Sequence, residues 1–244
     1  MDLVFGAAGL VLGAVMASFG ATWALRRAQG EQSVSGRSRC DRCAHALGYL
    51  ETVPLLSYAV QHGRCRHCAA PISPFHPIAE IGGALLVASI FALRPWPLAA
   101  LEGGLGITLW ALLLVDIRTF TLPDVAVVLA GALSALLGAL QNSLLLNLAF
   151  SILITAVLLV ATLVLKNRRG HAVMGYGDLK LIAGLTLWLG PDMTLALALA
   201  STIGLIQFAV HKNRPERIAF GPALIAGTLT IGLIVRPFFS LASQ

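Results

Sequence analysis

Long apolar runs separated by short polar connections make up most of this chain. A helix needs about 20 apolar residues to cross the hydrocarbon core of a bilayer, and shorter ones persist where neighbouring protein shields their ends. Eight runs qualify as candidate spans: Leu3–Leu25, Ile78–Leu93, Leu98–Val115, Val125–Leu140, Leu144–Leu165, Leu179–Leu189, Met193–Val210 and Ile218–Val235. The sixth is too short to span alone unless the Gly-rich stretch before it enters the membrane or its neighbours cover it. The pattern predicts an all-α polytopic membrane protein of about eight transmembrane helices. Between the first two runs lies one long polar segment, Arg26–Pro77, expected to form a small domain of its own. The organisation expected is therefore a first transmembrane helix over residues 1–25, a loop domain over 26–77 and a helical membrane domain over 78–244.

Composition agrees with the pattern. Of 244 residues, 57% are hydrophobic and 11% charged, and the mean hydropathy is +0.84, values that exclude an ordinary soluble domain. The flank before the first run is acidic (Asp2) and no small-residue cleavage site follows it, so a retained helix is expected rather than a signal peptide. Small residues recur every fourth position at Gly9, Gly13, Ala17 and Ala21. Their spacing is a helix-packing signal.

The net charge of +6 raises nucleic acid as a partner, but basic residues in membrane proteins more often set orientation, and their placement decides. With the N-terminus outside and eight spans, Arg26, Arg27, Arg37, Arg39, Arg42, Arg64, Arg66, Arg118, Lys166, Arg168, Arg169, Lys180, Lys212, Arg214 and Arg217 all fall on the cytoplasmic side. Only Arg94 and Arg236 lie outside. Merging the sixth and seventh runs would push the His211–Arg217 loop out and weaken this asymmetry. A cytoplasmic working face and no nucleic-acid partner are expected.

All four cysteines occur in the polar segment, as Cys40-Asp41-Arg42-Cys43 and Cys65-Arg66-His67-Cys68, with 21 residues between the pairs. Paired Cys-x-x-Cys knuckles near this spacing fit a tetrahedral four-thiolate zinc site. The alternatives are disulfides, which a reducing cytoplasm disfavours, or four unrelated thiols. Four protein ligands saturate the ion, so a zinc here is structural. His67 is a substitute ligand or a solvated side chain.

Two acidic residues adjoin apolar runs on the same expected face. Asp116 ends the third span in Leu-Leu-Val-Asp-Ile-Arg, and Asp178 opens the sixth in Gly175-Tyr176-Gly177-Asp178. An acid attached to an apolar helix is costly to desolvate and is a functional candidate by default. The glycines before Asp178 are expected to allow positive φ and close approach to its carboxylate. Paired carboxylates serve aspartyl proteolysis because like charges held close share one proton, leaving one base and one acid. Alternatively, both are interfacial charges paired with Arg118 or Lys180, and the chain is a transporter or scaffold. Asp124, after Pro123, is explained as a helix N-cap, and Glu102 and Asp192 as solvated.

The chain resembles the bacterial type IV prepilin peptidases, or prepilin leader peptidase/N-methyltransferases, of the Gly-x-Gly-Asp class of membrane aspartyl proteases. The resemblance rests on Arg37–Cys43, Val53–Tyr58, Gly63–Cys68, Pro71–Ser73, Glu80, Asp116 to Pro123-Asp124, Gly175–Lys180 and Phe220–Pro222. It implies an inner-membrane hydrolase with Asp116 and Asp178 as catalytic pair and Cys40, Cys43, Cys65 and Cys68 as zinc ligands. It further implies prepilin or type II secretion pseudopilin substrates, cut after a glycine that ends a basic leader. Methylation of the new N-terminus by S-adenosylmethionine is implied as well, with the loop and the Glu80 region associated with it; a peptidase without that activity is the alternative. The chain departs from the family pattern at Ala21, Asp41 and Ala219, where asparagine, proline and proline are usual. These changes bear on substrate preference and methyl transfer rather than on the aspartates or cysteines.

Overall fold

In a computed structural model that describes residues 2–31, 36–169, 174–210 and 219–236, every apolar run becomes a helix. Among the described residues there is no strand, only two isolated bridges in the cysteine loop. Five stretches are long and apolar enough to cross a membrane; the last, Tyr176–Val210, joins two helices through a 3-10 turn, and two further apolar helices are shorter. The chain is an all-helical polytopic membrane protein. Lys212, Arg214, Arg217 and the rest of the loop from His211, used above to judge orientation, lie outside the described residues.

The helices fall into two compact units, residues 1–119 and 120–244. The first contains α1 (Asp2–Ala28), a short α2 (Leu56–Val60) within the cysteine loop, α3 (Phe75–Leu93) and α4 (Leu98–Thr119). The every-fourth-residue stripe on α1 is its contact with α3. A Cβ added at Gly13 would lie 2.3 Å from the Gly83 carbonyl oxygen, and one at Gly9 2.8 Å from the Ala88 Cα. Ala17 fills the corresponding place opposite Gly83, and Ala21 packs with Ala79, Leu114 and Val115. With no hydrophobic drive between helices in lipid, such backbone-to-backbone approach supplies the dispersion contact that larger side chains would block. Trp110 of α4 covers Gly82 and donates its indole N–H to the Ala79 carbonyl at 3.0 Å.

Glu102, expected to be solvated, is buried one turn into α4 and pairs with Arg94 at 2.7 Å. The tight connection from α3 to α4 brings the arginine back over the acid, and burial of a charge requires such a partner.

The second unit contains α5 (Asp124–Leu140), α6 (Leu144–Arg169), α7 (Tyr176–Leu189), α8 (Met193–Val210) and α9 (Phe220–Thr230), the last running into a wider π turn. The doubtful sixth run is α7, and its shortness is explained by its surroundings. Leu181, Ile182, Leu185 and Leu189 are fully buried. Gly184 lies against Gly131 of α5, and Gly138 leaves room for the Leu187 carbonyl. Helix ends leave four carbonyls without intrahelical donors. Here Asn147 Nδ2 donates to the Leu187 carbonyl at 2.9 Å, and Arg236 Nη1 donates to that of Trp188 at 3.0 Å. Arg236 also lies 3.5 Å from Asp192, which is therefore half-exposed and paired rather than simply solvated. Ser151 of α6 adds a bond to the Ala183 carbonyl at 2.8 Å. Neighbouring side chains thus replace the water that the end of α7 lacks.

Candidate active site and metal centre

The two cysteine pairs adopt one repeated conformation. The Ala44 N–H donates to the Cys40 carbonyl and the Ala69 N–H to the Cys65 carbonyl, both at 2.9 Å. The Cys40 and Cys65 N–H groups return the bond to His45 and Ala70, and Leu47→Ser38 and Ile72→Gly63 bonds close each loop at 2.8 Å. Ala44 and Ala69 carry the turn at φ 57° and 55°, a region that alanine enters only against resistance from its Cβ. The shared turn brings the four sulfurs together. One ligand atom from each of Cys40, Cys43, Cys65 and Cys68 lies within 4.8 Å of every other.

No disulfide links them; Cys40 and Cys68 Sγ are 3.9 Å apart. A ZnS4 tetrahedron with bonds of about 2.3 Å has edges of about 3.8 Å, so the separation fits a metal and not an S–S bond. Proton affinities in the quartet are split. The backbone N–H of Cys43, then that of Arg42, pulls the Cys40 thiol down to about 7. At Cys43 the His45 N–H acts in the same direction, but desolvation and bonds to the other thiols outweigh it and hold the group up at about 11. Four clustered thiols cannot all ionise without a cation. A divalent ion would supply that charge, and the donor set suits a soft-to-borderline metal.

Glu80, near the start of α3, is buried, and both carboxylate oxygens are engaged. Ser18 of α1 donates to Oε1 at 2.6 Å, and the Leu55 N–H donates to Oε2 at 2.8 Å. Leu55 makes that bond from φ 62°, a costly conformation for leucine. Glu80 is thus a strut joining α1, the cysteine loop and α3. It also borders a cavity of about 160 Å³ that Arg26, Asp41, Tyr58 and His76 help to line. Neither Ser18 nor Leu55 is marked as a functional residue by spacing or charge.

Asp116 is buried in the last turn of α4, in the first unit. In the same unit the Arg118 guanidinium stands 4.1 Å over the Phe75 ring, a cation–π contact. Asp178 occupies the first turn of α7, in the second unit, half-buried. Lys180 binds Asp124 at 2.8 Å. Asp124 is therefore not a side-chain cap: Pro123 occupies the cap position, and Asp124 is the first helical residue with its carboxylate turned to the lysine.

The glycines before Asp178 act differently from the expectation of positive φ. Gly175 caps α7 at φ −68° and Gly177 is helical. Their value is space. A Cβ at Gly175 would lie 3.2 Å from Asp178 Oδ2, and one at Gly177 3.2 Å from the Leu122 Cβ. The missing side chain at Gly175 lets the carboxylate lie against the α7 N-terminus, where the helix dipole favours a negative charge, and that at Gly177 lets Leu122 pack close.

Comparison with known proteins covers most of the chain. Residues 11–93 match the bacterial peptidase A24 N-terminal domain, and residues 103–209 match the type IV leader peptidase family. A prepilin leader peptidase/N-methyltransferase of Burkholderia pseudomallei (strain 1026b) is 36% identical over 218 residues, 84% of this chain and 69% of the relative. One of the same description from Aeromonas hydrophila is 37% identical over 80% of this chain and 71% of its own. The type 4 prepilin-like proteins leader peptide-processing enzyme of Escherichia coli O78:H11 is 33% identical over 81% of this chain and 76% of its own. No solved structure matches.

Proposed function

From the premise that the chain belongs to the type IV leader peptidase family, we propose that it removes the leader of prepilins or pseudopilins with Asp116 and Asp178 as catalytic carboxylates. The observation that carries this is the setting of Asp178: a carboxylate folded over a helix N-terminus in space that Gly175 leaves open. Asp116 is its counterpart, buried at the end of an apolar helix where an acid without a task is expensive. One carboxylate, as anion, takes a proton from water while the resulting hydroxide equivalent adds to the scissile carbonyl carbon; the other, protonated, donates to the carbonyl oxygen. Collapse breaks the C–N bond: the proton held by the base passes to the leaving amine, and a hydroxyl of the gem-diol returns its proton to the carboxylate that acted as acid. The work is done at the cytoplasmic face of the inner membrane, where the basic residues concentrate and a basic leader remains.

Zinc is the ion for the four cysteines, held as a structural crosslink with no open position. The cavity beside Glu80 would hold the methyl donor for methylation of the new N-terminus. Its lining suits a zwitterionic sulfonium donor, with Asp41 and Glu80 for the cationic part and Arg26 for the carboxylate. S-adenosylmethionine, when bound, supplies an electrophilic methyl group for the free amine. In this role Glu80 is held in place by Ser18 and the Leu55 N–H.

Asp116→Asn and Asp178→Asn are each expected to abolish cleavage of a co-expressed prepilin while the protein inserts normally; full cleavage by either variant overturns the assignment. Mass measurement of the mature pilin N-terminus, with and without the methyl donor, tests the second activity separately.

A further inference from the structure

Beside the cysteine quartet stands a second group of metal-ligating side chains. His45 lies two residues after Cys43, His67 sits between Cys65 and Cys68, and Glu51 ends the 3-10 turn Tyr49–Glu51. Separated in sequence, the three converge: one ligand atom from each lies within 4.8 Å of the others. The two imidazole rings are in contact, with centroids 3.4 Å apart and planes tilted by 33°.

Glu51 is held as a ligating carboxylate is usually held. Its Oε2 accepts the Gly48 N–H at 2.8 Å, which fixes the carboxylate plane from behind. Its Oε1 is buried and accepts no hydrogen bond among the described residues. A buried carboxylate oxygen left without a donor is expensive, and the available neighbours are two imidazoles that can share a cation with it. Two nitrogens and one oxygen suit a borderline divalent ion such as zinc or cobalt, and disfavour magnesium or calcium, which take oxygen ligands. Bonds of about 2.0–2.2 Å put tetrahedral ligand atoms roughly 3.3–3.6 Å apart. The exposed histidine side chains have the rotational freedom to close that distance.

We propose that His45, Glu51 and His67 form a second, three-ligand site for a divalent transition-metal ion, separate from the cysteine quartet. Unlike the quartet it leaves one position open to water or another small donor, and its exposed histidines make its ion the more exchangeable of the two. The ion ties the Tyr49–Glu51 turn to both knuckles, so the loop that carries Leu55 to Glu80 becomes more ordered as the site fills.

Cobalt(II) titration of the purified full-length protein, stripped of metal and followed by absorption, tests this. The expected result is a first ion with sulfur-to-metal charge-transfer bands and a second, in the micromolar range, with weak visible bands and no new thiolate signal. Glu51→Gln, His45→Gln and His67→Gln are each expected to weaken the second ion at least tenfold and to leave the charge-transfer bands, which report an intact quartet, unchanged. Saturation at one thiolate-bound ion, or a second ion bound equally by all three variants, overturns the proposal. Binding of one ion without thiolate bands would instead disprove the quartet as a metal site while leaving this one standing.

Discussion

At single residues, chemistry here follows from what a neighbouring backbone group does to a charge. Cys40 and Cys43 belong to one knuckle, yet backbone N–H donors lower the first thiol to about 7 while desolvation and its fellow thiols hold the second at about 11. In metal-free protein near pH 7, Cys40 is about half thiolate and Cys43 remains a thiol. Iodoacetamide should therefore label Cys40 first, although Cys43 is the more exposed. That lead is lost as pH falls through 7, where Cys40 takes its proton, and bound metal should protect both. Peptide mass mapping over a pH series reads the order. Gly175 makes the same point sterically. Gly175→Val crowds Asp178 Oδ2, and if Asp178 is catalytic as proposed, its displacement by a fraction of an ångström should lower kcat for prepilin cleavage by about tenfold to a hundredfold. Membrane levels of the variant should match the unaltered protein.

Among the helices, α7 depends most on its surroundings. It is a helix of 14 residues whose last carbonyls are served by Asn147 from α6 and by Arg236. Asn147→Leu keeps the branched shape of the side chain and removes the donor, leaving buried carbonyls with a penalty of about 1–3 kcal/mol. Thermal unfolding in detergent should fall by roughly 2–4 °C for each kcal/mol lost. The apolar run alone marks a segment there, and its length argues against a span. Its burial against Gly131 and Gly138 of α5 becomes visible only when the helices are packed. The α1 stripe was legible earlier, because an every-fourth repeat of small residues is itself the pattern of helix contact. The contacts with Gly83, Ala84 and Ala88 agree with it.

Over the whole molecule, the cysteine loop buries little apolar surface among the described residues, and a metal bound there would supply folding free energy that a small domain lacks. Stripping zinc with a strong chelator should make peptide bonds between residues 36 and 73 sensitive to protease. The helices of residues 120–244, which contain none of the ligands, should keep their far-ultraviolet circular dichroism. Limited proteolysis with mass mapping, with and without restored zinc, checks both halves of the expectation.

The chain's apolar runs, its paired cysteines and its two acids at helix ends were determined by sequence alone, because each is a local pattern: hydropathy along one segment, or thiols spaced for one turn. The partners of its buried polar groups were decided by tertiary structure. Arg94 over Glu102, Ser18 and the Leu55 N–H on Glu80, Asn147 at the end of α7, and His45 and His67 beside Glu51 join groups from separate segments or opposite ends of a turn. A buried charge or carbonyl takes whichever complementary group packing brings within about 3 Å, and distance through space is not encoded in the spacing of any one stretch.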